Sequence, residues 1–334
     1  MALAGLSART GLAQERNEGP SPEVVPIPVE PLGVPPVVPT ASIGQEPTSD
    51  SVAASESSGS ASVAPAAASS AASSATSNRA SVPPEGYPGH LLQLPPSADS
   101  ALVFDLPKYR LHVFEHEGEQ AVRRGDYFVA VGKQGIDKQR EGDEKTPIGI
   151  YFISSYIPGD KLPAIYGVGA YPLNYPNPWD LRRGRTGSGI WIHGTDKDDE
   201  SLLPESSRGC LTLRNDDFDS MAELARIRHT PVILSDAVSW TEPAQLEADR
   251  ASLAAAVETW RVDWESLDTE KYLRHYAADF RTNSMSRRAW VAHKRRVNRY
   301  KSFIRVGLEE IGIYAYPGEP GLYLVTFEQS YRSD

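Results

Sequence analysis

The chain has 334 residues, 40% of them hydrophobic, and a formal net charge of -10. That acidity excludes a general nucleic-acid binder, which needs a basic surface to displace counterions from phosphates. No apolar run approaches the roughly 18 residues that a membrane-spanning helix requires. The single cysteine, Cys210, excludes an internal disulfide and a multi-cysteine zinc site.

Residues 51–81 are almost wholly Ser and Ala, and residues 20–39 are Pro and Val punctuated by acids. Neither stretch buries enough apolar surface to offset the entropy of ordering its backbone. Residues 1–90 are therefore expected to be a disordered tail, leaving about 240 residues to fold. As a flexible tether it would span about 5 Å times the square root of its length. The opening MALAGLSARTGLAQ has neither a basic start nor a full apolar core, so it reads at most as the back half of an export signal.

Strands are expected at 100–105, at 109–116 and, after a Glu117-Gly118 turn, at 127–131. A meander of this kind points to an antiparallel sheet. A further strand follows at 148–156. The stretch 158–189, rich in Pro, Gly, Tyr and Asn, reads as a long functional loop. Tyr166, Tyr171, Tyr175 and Trp179 in it would either wall a cleft or pack the loop on its own sheet. A short strand at 190–193 ends in His-Gly-Thr. A helix over 215–228 carries Phe218, Met221, Leu224 and Ala225 at spacings of three and four, and 231–234 closes the domain as a strand. The first folded domain is thus expected over 98–237. Composition shifts again at Ser235. A second domain is expected over 245–334, with an amphipathic helix at 243–261, another at 268–280, strands at 301–308 and 312–316, and a last one from 322. The basic run of Arg287, Arg288, His293, Lys294, Arg295, Arg296, Arg299 and Lys301 reads as a solvated helix face.

The chemistry concentrates in IWIHGTDKDDESLLPESSRGCLTL, where His193 ends an apolar strand and Cys210 follows 17 positions later. A thiol attacks as thiolate, and an imidazole within hydrogen-bond reach both lowers its pKa and carries the proton to a leaving amine. Gly209 lets a carbonyl approach the backbone, and the amides of Gly209 and Cys210 are candidate oxyanion donors. A lone cysteine followed by Leu-Thr-Leu is by itself more often a small buried hydrophobe; its pairing with His-Gly-Thr outweighs that. Asp196, Asp198, Asp199 and Glu200 lack metal-ligand spacing and read as a solvated loop.

IHGT followed by SRGCLTL resembles the His-Gly-Thr and Ser-x-Gly-Cys signature of the L,D-transpeptidase (YkuD-type) catalytic domain, and KTPIGIYFI is similar to that family's Thr-Pro-x-Gly strand. The resemblance implies a mainly β, sandwich-like catalytic fold, with Cys210 as nucleophile, His193 as base and the carbonyl of Gly194 orienting the imidazole. Many members carry a second histidine where this chain has Arg208. Arg208 and Arg214 are accordingly expected either to grip the free carboxylates of a diaminopimelate-containing stem or to form surface or intradomain ion pairs, with Ser207, Thr195, Tyr175 and Trp179 completing the substrate set. The C-terminal part resembles the nuclear-transport-factor-2-like class, an α+β cone, with Trp260, Trp264, Tyr272, Tyr276 and Phe280 at that class's aromatic positions. Its last strands look absent, so it reads as incomplete or as completing its sheet elsewhere. The combination implies a cysteine enzyme of the periplasm or cell envelope that needs no cofactor or metal. It would cleave an L,D bond in peptidoglycan stems through a thioester. Hydrolysis, as an L,D-carboxypeptidase or a lipoprotein-releasing amidase, is favoured over transfer. A wall-linked lipoprotein is a further expected partner, and the C-terminal domain is expected to hold a ligand. The alternative of another class is an envelope binding module with a vestigial cysteine site, in which Trp260, Trp264 and Tyr276 contact ligand instead of filling the cone.

Overall fold

The computed structural model describes residues 6–9, 86–118, 120–197, 202–282 and 284–334. Most of the expected tail, residues 1–5 and 10–85, lies outside these, as do Asp198, Asp199 and Glu200. The end of that tail is folded, which corrects its boundary at 90. Tyr87–Pro88 pairs antiparallel with Trp240–Thr241, and Leu91–Gln93 follows as a strand. Among the described residues no helix is long and apolar enough to cross a membrane.

The first domain is a β-sandwich. One sheet has five strands in the order Gln120–Phe128, Arg110–Glu117, Ser100–Asp105, Pro231–Ser235 and Gly149–Phe152. The first three form the expected meander, but Ser100–Asp105 pairs in parallel with Pro231–Ser235, so the sheet is mixed and not purely antiparallel. The reason is that a chain returning after the whole catalytic segment must fill the slot beside the first strand. Ser100–Asp105 is buried along its full length. Leu102 and Phe104 face the sandwich core, and Ala101 and Val103 face a second apolar cluster with Tyr314 and Tyr316. Both faces being covered explains why its sequence is continuously apolar and does not alternate.

The opposing sheet is built from Leu211–Thr212, Trp191–His193, Gly169–Pro172 and Ile157–Pro158. The stretch expected as loop, 158–189, thus contributes a strand, and also the short helix α1, Pro178–Arg182. Low apolar periodicity hid both: the strand is four residues long and α1 is five. Helix α2, Asn215–Ala222, seals the core with Phe218 and Met221 and is shorter than the expected 215–228.

In the C-terminal domain α3, Pro243–Glu265, buries Leu253, Val257, Trp260 and Trp264, a stripe at spacings of four and three. It lies on the long hairpin Ile304–Ala315 and Tyr323–Ser333, with a short α4, Thr269–Leu273, and α5, Arg287–Asn298. The two strands expected at 301–308 and 312–316 are one strand with a register irregularity between Glu309 and Gly312. The sheet is extended from elsewhere in the chain: Leu91–Gln93 pairs along Ile304–Ala315, and the backbone of Leu6–Arg9 runs parallel to Tyr323–Ser333. Trp264 stacks on Tyr272 at 5.4 Å and tilts against Trp260 at 5.3 Å, so these rings fill the cone with one another.

The side-chain amide of Asn177 ties the long loop to both domains, donating to the carbonyl of Ile150 at 2.9 Å and to the hydroxyl of Tyr316 at 2.8 Å. Both residues are buried. Tyr316→Phe leaves one buried N–H without an acceptor and is expected to cost about 2 kcal/mol, seen as a lower urea midpoint with an unchanged slope.

Candidate active site

Strand register sets the two candidate residues on neighbouring segments. Trp191–His193 and Leu211–Thr212 are parallel neighbours, with Ile192 opposite Leu211 and His193 opposite Thr212. Alternation then puts Cys210, two residues before Thr212, on the same face as His193. On a pleated sheet such diagonal neighbours are about 7 Å apart, within reach of an imidazole.

His193 is buried, and its Nδ1 lies 2.6 Å from the carbonyl oxygen of Gly194. A carbonyl only accepts, so Nδ1 carries the proton and Nε2 is left as the basic nitrogen. Nε2 faces the hydroxyl of Thr212 at 3.3 Å. Burial lowers the imidazole pKa below its ordinary value, with the Gly194 hydrogen bond pulling the other way. Tyr166 sets its edge against the imidazole at 5.0 Å and also touches Trp191 at 5.2 Å, forming one wall of the site.

The half-buried thiol of Cys210 donates to the carbonyl of Gly189 at 3.4 Å. Burial pushes it up to about 11, against the backbone of Trp191 and the positive charges of Arg208 and Lys138. The expected lowering of the thiol by a direct imidazole bond is therefore not what this geometry holds. Burial thus favours the neutral form of each group, and in this geometry the thiol points to Gly189 and Nε2 to Thr212.

The loop before Cys210 is fixed by its neighbours. Gly209 has φ +116°, and a Cβ there would sit 2.7 Å from the carbonyl oxygen of Lys145, so the position requires glycine. Thr146, fully buried, accepts from the amide of Gly132 at 2.9 Å and donates to the carbonyl of Gly209 at 3.1 Å. Ser207 accepts from the amide of Gly209 at 3.0 Å and donates to the carbonyl of Cys210 at 2.7 Å. The Gly209 amide is thus already engaged, which leaves the Cys210 amide as the oxyanion candidate. Beneath this loop the buried Lys138 pairs with Asp143 at 2.6 Å. Burial opposes the Asp143 charge, but Lys138 and the amides of Arg140, Gln139 and Lys145 hold the carboxyl well below the usual carboxylate range.

The expected substrate set divides. Arg208 is exposed and its charge reaches both Cys210 and Tyr166. Arg214 is half-buried at the N-cap of α2. Ser207 and Thr195 are turn-formers with their polar atoms in use: Thr195 exchanges backbone hydrogen bonds with Asn215, and its hydroxyl accepts from the amide of Lys197. Tyr175 is a core residue, 5% exposed, that tilts against Tyr151 and donates to the carbonyl of Thr186. Trp179 packs against Tyr316 and the guanidinium of Arg182. Tyr171 stacks on Phe218. The long-loop aromatics are therefore mostly packing, because the loop folds into the sandwich, and Tyr166 is the one beside His193. Among the described residues no cluster of metal-ligating side chains occurs.

Sequence reasoning missed Asn215. Its Oδ1 accepts from the amides of Val168 at 3.2 Å and Thr195 at 3.1 Å, and its Nδ2 donates to the carbonyl of Thr195 at 2.9 Å. A Cβ on Gly194 would fall 2.3 Å from that Oδ1, so glycine and asparagine fit as a pair. The only signal was an Asn at the first turn of α2, which reads equally as a helix start.

Comparison with known proteins agrees with this architecture. Residues 99–234 match the L,D-transpeptidase catalytic domain, and residues 252–334 match the Cds6 C-terminal NTF2-like domain. The solved structure of Bd1075 from Bdellovibrio bacteriovorus is 32% identical, with a TM-score of 0.66, over 75% of this chain and 89% of that one. The helical cell shape determining protein Pgp2 from Campylobacter jejuni is 25% identical, with a TM-score of 0.59, over 73% of this chain and 88% of that one. A comparison with curated protein sequences returned no significant match. The paired motifs, both domain matches and 32% identity to Bd1075 over 75% of the chain place it in the L,D-transpeptidase (YkuD-type) family of enzymes, with a C-terminal NTF2-like domain.

Proposed function

We propose that the protein is a peptidoglycan hydrolase of the cell envelope that cleaves the L,D bond at diaminopimelate in stem peptides, with catalysis in residues 98–237. The observation that supports this reading is that Cys210 directly precedes the strand Leu211–Thr212, which pairs with Trp191–His193, and that Nδ1 of His193 is held by the Gly194 carbonyl. Rotation of the Cys210 side chain away from Gly189 brings its S–H toward Nε2. As Sγ bonds to the carbonyl carbon, the thiol proton passes to Nε2 and the carbonyl oxygen takes the electron pair, facing the Cys210 amide. The intermediate collapses by breaking the C–N bond, His193 returns the proton to the departing amine, and a thioester remains. Water then attacks the thioester, giving a proton to His193; the C–S bond breaks to release the acid, and His193 returns the proton to Sγ. Arg208, exposed beside the thiol, is assigned to a free stem carboxylate, to which a guanidinium donates two parallel hydrogen bonds.

Two features support water as acceptor: the pairing of this catalytic domain with an NTF2-like domain, and the likeness to a cell shape determining protein. The test is mass spectrometry of disaccharide tetrapeptide and of intact wall after incubation with the enzyme. Tripeptide, or release of a wall-linked lipoprotein, is the expected result. New cross-linked dimers would establish transfer instead, and neither product would leave a binding module with an inert thiol.

A further inference from the structure

Two loops form the seat of the Cys210 thiol, and one buried cation joins them. Residues 137–146 end at Thr146, which donates to the carbonyl of Gly209, and residues 177–189 end at Gly189, whose carbonyl accepts from the thiol at 3.4 Å. Between these points the two run against each other. The amide of Thr186 donates to the carbonyl of Gln139 at 3.2 Å, its hydroxyl accepts from the amide of Glu141 at 3.1 Å, and a Cβ on Gly187 would fall 3.1 Å from Cα of Glu141. Arg185, 7% exposed, fastens the pair: Nη2 donates to Asp137 at 2.9 Å, and Nη1 donates to Asp180 and to the carbonyl of Ile148, each at 3.3 Å. Its Nε is buried without an acceptor among the described residues. A cation taken out of water and left with an unpaired N–H is a poor choice for stability alone, since apolar side chains fill such a space without that desolvation cost. What a guanidinium does and an apolar side chain does not is hold carboxylates of two segments at once from one rigid plane.

We propose that Arg185 is a positioning residue for Cys210: by pinning residues 180–189 to residues 137–146 it fixes the Gly189 carbonyl, and with it the direction in which the thiol rests, relative to the Gly209 loop. Arg185 touches no reacting atom, and its effect passes to Gly189 through the backbone of residues 186–188. The reaction in which the thiol serves rests on the function proposed above, but the seat of the thiol is read without turnover. A lysine at this position has a single ammonium, which pairs with Asp180 or with Asp137 and not with both. Without the bridge the end of the segment loosens, and the thiol leaves the Gly189 carbonyl and gains water. Its ionisation then moves down from the value to which burial raises it, toward the ordinary one.

The experiment follows iodoacetamide alkylation of Cys210 across pH by mass spectrometry, in the full chain and in its Arg185→Lys and Asp137→Asn variants, beside calorimetry and steady-state kinetics on a soluble disaccharide tetrapeptide. Asp137 is half-exposed at φ 63°, a backbone that asparagine also adopts, so Asp137→Asn keeps the fold and weakens one end of the bridge. Rates are compared well below each Tm, so that global unfolding does not supply the reactive thiol. Arg185→Lys is expected to speed alkylation at pH 7 about fivefold, to move its pH midpoint down, and to lower kcat about tenfold with KM unchanged. Asp137→Asn is expected to shift alkylation and kcat in the same directions by about twofold. If Arg185→Lys does not fold, Asp137→Asn decides the matter. Faster alkylation of the variants beside a parent that shows no turnover supports the positioning role and removes the proposed activity. A lowered Tm with the alkylation profile of the parent overturns the proposal and makes Arg185 a fold residue, whatever becomes of kcat.

Discussion

Cys210→Ala is expected to abolish product release, a loss on the order of 10⁶-fold, and His193→Gln to lower kcat by about 10³-fold. The pH dependence separates the two ways in which such a pair operates. With the thiol pushed up to about 11 and the buried imidazole held below its ordinary value, both groups are neutral over a wide range, and the proton moves only during attack. Activity then falls on the acid side as pH drops through the lowered His193 pKa, because a protonated imidazole has no site for the thiol proton. On the alkaline side it holds until the thiol itself ionises near 11. A preformed thiolate–imidazolium pair would instead lose activity as the imidazolium deprotonates near neutrality. Alkylation by iodoacetamide gives the independent reading. Relative to a thiol of ordinary pKa the thiolate fraction at pH 7 is about a hundredfold lower, and the greater nucleophilicity of a more basic thiolate recovers about tenfold. Cys210 should therefore react about tenfold more slowly than a free thiol at pH 7 and accelerate with each unit of pH toward 11. Rapid alkylation at pH 7 with a narrow pH profile would mean that the thiol and imidazole share a proton before substrate arrives.

What was legible in the sequence was what local pattern encodes. His-Gly-Thr and Ser-Arg-Gly-Cys announced the family, and the strand Ser100–Asp105 and the closing strand Pro231–Ser235 were visible as short apolar runs. What was hidden depends on contacts far apart in the chain. No periodicity in residues 91–93 says that they complete a sheet some 220 positions later, since a three-residue strand is defined by its partner alone. Tyr175 and Trp179 looked like cleft aromatics because a Pro- and Asn-rich stretch reads as loop. In the fold α1 is held by an Asn177–Asp180 capping box, and Asp180, fully buried, accepts from Tyr151 and pairs with Arg185, which draws the whole segment into the core. The state of the thiol was equally out of reach, because it is set by burial, which depends on how distant parts of the chain pack around Cys210.

Asn215→Ala is expected to destabilise the fold by about 3 kcal/mol and to lower kcat about a hundredfold with little change in KM. The side chain serves three backbone groups at once, the amides of Val168 and Thr195 and the carbonyl of Thr195. Removing it strands all three and frees the turn that follows His193. That turn supplies the Gly194 carbonyl, the acceptor that keeps the proton on Nδ1 and Nε2 free. Loosening it lets the imidazole rotate or change tautomer, which penalises the proton-transfer step and leaves the carboxylate contacts of the substrate alone. Asn215→Asp separates packing from orientation. It keeps both accepting bonds to the amides but replaces the donor to Thr195 with an oxygen facing a carbonyl, so it should recover most of the stability and only part of the rate. Calorimetry read beside kcat and KM decides the matter: a lowered Tm with a wild-type kcat would reduce Asn215 to a fold residue, whereas a fall in kcat that outlasts the recovered stability of Asn215→Asp makes it the residue that positions the His193 base.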